Sequence, residues 1–273
     1  MKNPITIIRH LFQECLGGWL SAEGAASKFR LAGDFALLRF YRLTKQAPSN
    51  CPRRVRVQGG VWLNYRLNEG DLQGIREVWL DGCYRLPSRV HPETLVDLGG
   101  NLGLTSLWYA KRYPIKNLII VEPDPDNAAL IRRNMTDNGV NATVIEAAVG
   151  PQDGTVTFIT HERSNVGHVV SADGGDEKSV NGVRLPMVSM PTVLAKLPAG
   201  VAVDLLKMDI EGGETALIGG DLAWLERVRF IIAELHPPMV DVDAIVTAIE
   251  AKGLRHHVPG SLFRESMTMF ERQ

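Results

Sequence analysis

A chain of 273 residues, 45% hydrophobic and 22% charged, has room for one large α/β domain with an extension, or for two small domains. Its formal net charge of −1 provides no global field to draw in nucleic acid or an anionic membrane, and no stretch approaches the ~20 apolar residues of a membrane span. The cysteines, Cys15, Cys51 and Cys83, make neither a metal pattern nor a disulfide framework, which fits a reducing cytoplasm.

The first twenty residues are interrupted by Arg9, His10, Gln13 and Glu14 and make a poor signal peptide. Residues 5 to about 45 read as helices, because Ile8, Leu11, Phe12 and Cys15 recur at helical spacing, as do Phe35, Leu38 and Leu43. Gly17 and Gly18 are expected to break the first helix, and the proline-containing "QAPSNCPRR" to end the helical region as a linker. Residues 1–50 are thus a helical extension, a cap or homodimer surface, and residues 51–273 the main domain. "RVRVQGGVWLNYRL" alternates around Gly-Gly and predicts a hairpin, and "DLQGIREVWLDGCY" a short helix.

From residue 94 the pattern becomes regular. Apolar strand-like runs ("TLVDLGG", "NLIIVEPD", "ATVIEAAVG", "VDLLKMDIEG", "RFIIAELH") alternate with helical segments, which demands a mostly parallel sheet covered on both faces. "GTVTFITHE" adds a strand or hairpin, "SADGGDEKSVNG" reads as a mobile surface loop, and "LRHHVPG" and "SMTMFERQ" pair as two final strands.

Ligands of such sheets bind beyond the carboxyl ends of the strands. There Gly99, Gly100 and Gly103 allow a tight turn and a close approach of backbone to ligand. The spacing Gly99-Gly100-Asn101-Leu102-Gly103 lacks the dinucleotide pattern, and the Asp97 carboxylate would repel a pyrophosphate. S-adenosylmethionine, with an ammonium and a sulfonium, suits that carboxylate. Glu122, at the end of the second strand, is placed to accept hydrogen bonds from ribose hydroxyls, a feature that NAD would share. Ala147, between Glu146 and Ala148 at the end of the third strand, leaves room for an adenine ring.

"VDLGGNLGLTS", "VEPDPDN", "AAVG", "LLKMDIEGGE" and "IIAELH" occur in the order and spacing of the FkbM-type methyltransferases, and "DLQGIREVWLDGCY" resembles the segment preceding the core in that family. The resemblance covers residues ~60 to ~270, with "KMDIEGGE" its most specific piece. It implies a Rossmann-like class I methyltransferase fold and transfer of a methyl group from S-adenosylmethionine, commonly to an oxygen of a natural product, sugar or glycan.

A hydroxyl acceptor must lose its proton, so a base is expected near the methyl group. Of the residues at the fourth and fifth strand ends, His236 is the best base, because imidazole titrates near neutrality. Asp209 is expected near the transferred methyl and the cofactor, with Glu234 beside it. Glu211, Asn165 and His168 are assigned to the acceptor. Asp209, Glu211 and Glu234 are also adequate to hold a divalent cation, which is not the expected reading. Lys207 is expected to pair with a carboxylate, and Glu214 to sit in a helix's first turn. N- or carboxyl-methylation and a non-catalytic cofactor-binding protein are the alternatives.

Overall fold

A computed structural model describes residues 4–160, 167–170, 183–237, 239–257 and 266–273. Two helices, α1 (Pro4–Ser21) and α2 (Ala25–Thr44), precede a hairpin of β1 (Pro52–Val57) and β2 (Val61–Arg66) that turns at Gly59-Gly60. A helix α3 (Glu69–Ile75) continues into a π-helical turn, Arg76–Asp81. Then follow β3 (Thr94–Leu98), α4 (Leu104–Ala110), β4 (Asn117–Val121), α5 (Pro125–Asp137), β5 (Thr143–Ile145) and β6 (Ala148–Gly150). The chain continues through β7 (Gly154–Thr160), β8 (Gly167–Val170), β9 (Val183–Ser189), α6 (Met190–Leu194), β10 (Leu205–Met208) and α7 (Glu214–Ile218). A 3₁₀ turn (Ala223–Arg227), β11 (Phe230–Glu234), α8 (Val242–Glu250), β12 (Leu254–His257) and β13 (Met267–Arg272) complete it.

The seven-stranded sheet has the order β12-β13-β11-β10-β3-β4-β5. Only β13 runs against the others, pairing antiparallel with both β11 and β12. The chain leaves β3 toward β4 and β5, then returns to place β10 on the other side of β3. The order therefore reverses between β3 and β10, which makes the carboxyl ends of those two strands the switch point at which ligands of such sheets bind. A second sheet, β6-β9-β7-β8, stands apart.

Both faces of the large sheet are buried, and the strand alternation sorts them. Leu95, Leu118, Ile120, Leu205 and Ile232 pack with Leu107, Tyr109, Ile131 and the N-terminal Leu31, Phe35 and Leu38. Val96, Leu98, Ile119, Val121, Leu206 and Ile231 pack on the other side with Val193, Leu217, Leu225 and Ile249. Asp97 and Lys207 are register partners across β3 and β10.

Three local expectations are corrected. Gly17 and Gly18 do not break α1, which runs through them to Ser21. Both instead let neighbours come close: a Cβ at Gly17 would stand 2.4 Å from the Leu80 side chain, and one at Gly18 2.8 Å from the Phe35 ring. "ATVIEAAVG" is two strands in two sheets, because the chain leaves β4's edge after Ile145 and pairs with β9 from Ala148. The linker is shorter than predicted, since β1 begins at Pro52 and Ala22 bridges Val57. Strand β9 had no sequence signal: Pro186 interrupts it, yet pairs opposite Thr155. "SADGGDEKSVNG" lies outside the described residues.

Candidate active site

The glycine turn hangs from the end of β3. Gly99 and Gly100 both donate their N–H to Val121 O, at 3.0 Å. Gly99 (φ 78°) has no room for a side chain, because a Cβ would stand 1.8 Å from Asp209 O. Backbone here passes against backbone, which is what the glycine permits. Asn101 (φ 50°) and Gly103 (φ 73°) complete the left-handed turn that starts α4. Glu122, buried at the end of β4, accepts from Asn101 N (2.7 Å), Asp124 N (2.9 Å) and Asn127 Nδ2 (3.4 Å). Burial outweighs these bonds and pushes its carboxyl up to about 7.

Asp97 is buried beneath this turn. Its Oδ2 accepts from Ser106 Oγ (2.6 Å), and Oδ1 lies 3.2 Å from Lys207 Nζ. Lys207 also donates to Gly99 O (2.6 Å) and stands 3.6 Å from Asp209 Oδ2. Burial opposes its charge, but Asp97 and Asp209 prevail and hold the ammonium above its ordinary pKa. The pairing predicted for Lys207 is present, and its partner is Asp97. The negative charge that pointed to a cationic cofactor is therefore compensated within the protein.

Further acidic side chains gather one layer further out. Asp209, directly after β10, and Glu234, the last residue of β11, both accept from Tyr84 Oη, at 3.2 and 3.4 Å. Burial, then the charges of Asp209 and Glu234, raise the Tyr84 phenol well above its ordinary pKa, so it stays a donor. Glu234 also accepts from Ser266 Oγ (3.0 Å). His236 Nε2 lies 3.7 Å from Glu211 Oε2 and 3.9 Å from Glu234 Oε1. Glu211 is raised by burial and by Asp209. It sits in left-handed backbone (φ 53°), in a turn pinned by fully buried Glu214, which accepts from Ile210 N (3.0 Å) and Gly212 N (2.8 Å). Asp209 Oδ1 and His236 Nδ1 are buried and take no hydrogen bond among the described residues. One ligand atom each from Asp209, Glu211 and His236 lie within 4.8 Å of one another, as a metal set requires.

The structure thus brings Asp209, Glu211, Glu234 and His236 together at the carboxyl ends of β10 and β11. It keeps Gly99, Asn101, Gly103 and Glu122 at those of β3 and β4. Ala147 is buried between β5 and β6. Asn165 lies outside the described residues, and of His168 only its backbone place in β8, opposite Ile159, is described. Tyr84 and Ser106 were not singled out in the sequence. Tyr84 closes the "DLQGIREVWLDGCY" segment, so the resemblance carried a signal for it. Nothing in the spacing shows that it reaches strand ends more than a hundred residues away.

A family model described as Methyltransferase FkbM domain matches residues 97–255. "Methyltransferase 1" of Beauveria bassiana is 24% identical over 196 residues, which are 65% of this chain and 78% of the relative. The 31-O-demethyl-FK506 methyltransferase FkbM of Streptomyces tacrolimicus is 26% identical over 239 residues, 77% of this chain and 89% of the relative. Among solved structures, Methyltransferase FkbM from Methylobacillus flagellatus is similar with a TM-score of 0.45 and 16% identity, over 98% of this chain and 60% of that one.

Proposed function

The chain belongs to the FkbM methyltransferase family, and from that premise we propose that it methylates a hydroxyl oxygen of a small natural product, sugar or glycan with S-adenosylmethionine. One observation carries the reading. Three carboxylates and a histidine converge beyond β10 and β11, next to a glycine turn at the point where the strand order reverses. The buried, unpartnered Asp209 Oδ1 suits an ammonium or a hydroxyl donor. The choice of oxygen draws on a relative whose name specifies a 31-O position.

When bound, S-adenosylmethionine supplies an electrophilic methyl carbon on a cationic sulfur and leaves as the neutral thioether. The protein's part is to hold, orient and take a proton. Gly99, Asn101 and Gly103 would hold the adenosine half of the cofactor at their turn, Ala147 would leave room for the adenine, and Glu122 would accept from the ribose hydroxyls. Asp97 acts at one remove, by fixing Lys207 and through it the carbonyl of Gly99. His236 accepts the proton of the acceptor hydroxyl as the new carbon–oxygen bond forms. Glu211, 3.7 Å away, stabilises the imidazolium that results. Tyr84 Oη, 3.2 Å from Asp209 and 3.4 Å from Glu234, ties the two carboxylates to one anchor. Calorimetry with S-adenosylhomocysteine and with NAD tests the cofactor: binding of the first and none of the second is expected, and the reverse overturns the reading. Incubation with S-adenosylmethionine and a panel of hydroxyl, amine and carboxyl acceptors, read by mass, tests the oxygen assignment.

The clustering of Asp209, Glu211 and His236 also favours a second reading, in which a divalent cation lowers the pKa of the acceptor hydroxyl. That set exchanges Glu234 of the sequence expectation for His236, since Glu234 is already tied to Tyr84 and Ser266. Loss of turnover on chelation, restored by Mg²⁺, would establish it.

A further inference from the structure

The formal net charge of −1 conceals a separation. Residues 1–56 contain ten Lys and Arg against three Asp and Glu, a formal +7, so the rest of the chain is correspondingly acidic. Of those three acids, Asp34 is buried against Tyr65 and Arg53, and Glu14 is paired with Arg76. Glu23 alone of the three stands on the surface, beside Arg56.

The same segment carries most of the exposed large apolar side chains among the described residues. Among the described residues, six of the eight exposed large hydrophobic side chains lie on α1 and α2: Phe12, Leu16, Leu20, Phe29, Phe40 and Leu43. Their order is helical. Phe12, Leu16 and Leu20 are four apart along α1. Phe29, Phe40 and Leu43 fall in one row of α2 with exposed Gly33 and Ala36, at steps of four and three, opposite buried Leu31, Phe35 and Leu38. The rows meet where Trp19 packs edge-on against Phe29, with ring centroids 4.8 Å apart. Lys28, whose Nζ lies 5.7 Å over the Trp19 ring, and Arg39 flank the α2 row.

We infer that α1 and α2 dock this chain on an anionic lipid bilayer surface, with Phe12, Leu16, Leu20, Phe29, Phe40 and Leu43 entering the headgroup boundary and the flanking cations facing the lipid phosphates. An apolar helical face bordered by Lys and Arg is the composition of interfacial helices. No described helix is long and apolar enough to cross a membrane. A second copy of the chain fits this face worse, because it would set one row flanked by Lys28 and Arg39 against another of the same charge. Nucleic acid would leave the apolar row unsatisfied.

Flotation of the full chain with vesicles of phosphatidylcholine, with and without phosphatidylglycerol, tests this. Binding only to the anionic vesicles, weakened by salt, is expected, with a blue shift of tryptophan fluorescence as Trp19 leaves water. The double variant Phe29→Ser/Phe40→Ser should lose binding at least about tenfold. Lys28→Gln and Arg39→Gln should each weaken it about fivefold, the scale of one cation at an anionic surface. Because the second pair truncates no buried side chain, it remains informative should the first fail to fold. No flotation with anionic vesicles at low salt overturns the inference. So does a dimer in sedimentation equilibrium that Phe40→Ser dissociates while vesicles have no effect.

Discussion

Lys207 and Asp97 form a fully buried ion pair across β3 and β10, and such a pair is far more sensitive to the loss of one partner than to its absence altogether. Lys207→Met is therefore expected to destabilise the fold by about 3–5 kcal/mol in urea titration, with part recovered in Lys207→Met/Asp97→Asn. A loss under about 1 kcal/mol would show that the contact between Lys207 and Asp97 contributes little to the fold. Glu122 makes a prediction in pH. Its folded pKa of about 7 lies above the ordinary 4.5, so the folded state prefers the protonated acid. That preference is fully present below about pH 4.5 and is lost as pH rises through 7, where ionised buried Glu122 is a burden on the cofactor-free fold. Ribose hydroxyls donating to the carboxylate would favour the ionised form. S-adenosylhomocysteine should accordingly bind tighter at about pH 8 than at about pH 6, with release of a proton, and Glu122→Gln should flatten the profile. Calorimetry in buffers of different ionisation enthalpy checks both, and equal affinity across that range would count against Glu122 as the ribose acceptor. His236→Ala should lower the methylation rate by ~10²–10⁴-fold while cofactor affinity changes little. A loss of only a few-fold would remove His236 as the base.

Gly99 decides how closely two whole strands approach. Its positive φ, and the 1.8 Å at which an added Cβ would stand from Asp209 O, leave Gly99→Ala no accommodation except separation of the β3 and β10 ends. The substitution should destabilise by more than about 3 kcal/mol and abolish cofactor binding, as measured by thermal melting and calorimetry. Retention of both would show that the switch point tolerates a wider spacing than the structure has. The N-terminal helices are anchored by the buried bond from Tyr65 Oη to Asp34 Oδ2, 2.6 Å long. Asp34→Ala leaves the phenol unsatisfied and should cost about 1–3 kcal/mol. A smaller loss in urea titration would mean that α2 rests on apolar packing alone.

For the molecule as a whole, a cofactor at the switch point would bridge both halves of the sheet and would stabilise the folded chain by mass action. S-adenosylhomocysteine at about a hundred times its dissociation constant should add about 2.7 kcal/mol to unfolding, seen as a raised melting temperature. NAD at the same concentration should leave the melt unchanged. A shift with NAD and none with S-adenosylhomocysteine would transfer the switch point to another cofactor class.

The mostly parallel sheet was legible in the sequence because a strand buried on both faces must be a continuous apolar run, and "NLIIVEPD" or "RFIIAELH" can be little else. The glycine turn, Glu122 and the carboxylates of "KMDIEGGE" were legible for a related reason: polar residues and glycines at the ends of such runs interrupt an otherwise apolar demand. Pairings were not legible. Sequence spacing placed Asp97 beside a cationic ligand, whereas the register of β10 on β3 set Lys207 opposite it and neutralised it internally. Tyr84 reaches Asp209 and Glu234 only because the chain before β3 folds back across the strand ends. Gly17 and Gly18 read as helix breakers by propensity, but close packing of α1 against Leu80 and Phe35 overrode that preference. Local composition determined which elements form and which ends carry chemistry. Only the tertiary structure decided which charges meet, since register and strand order are set by contacts between residues far apart in the chain.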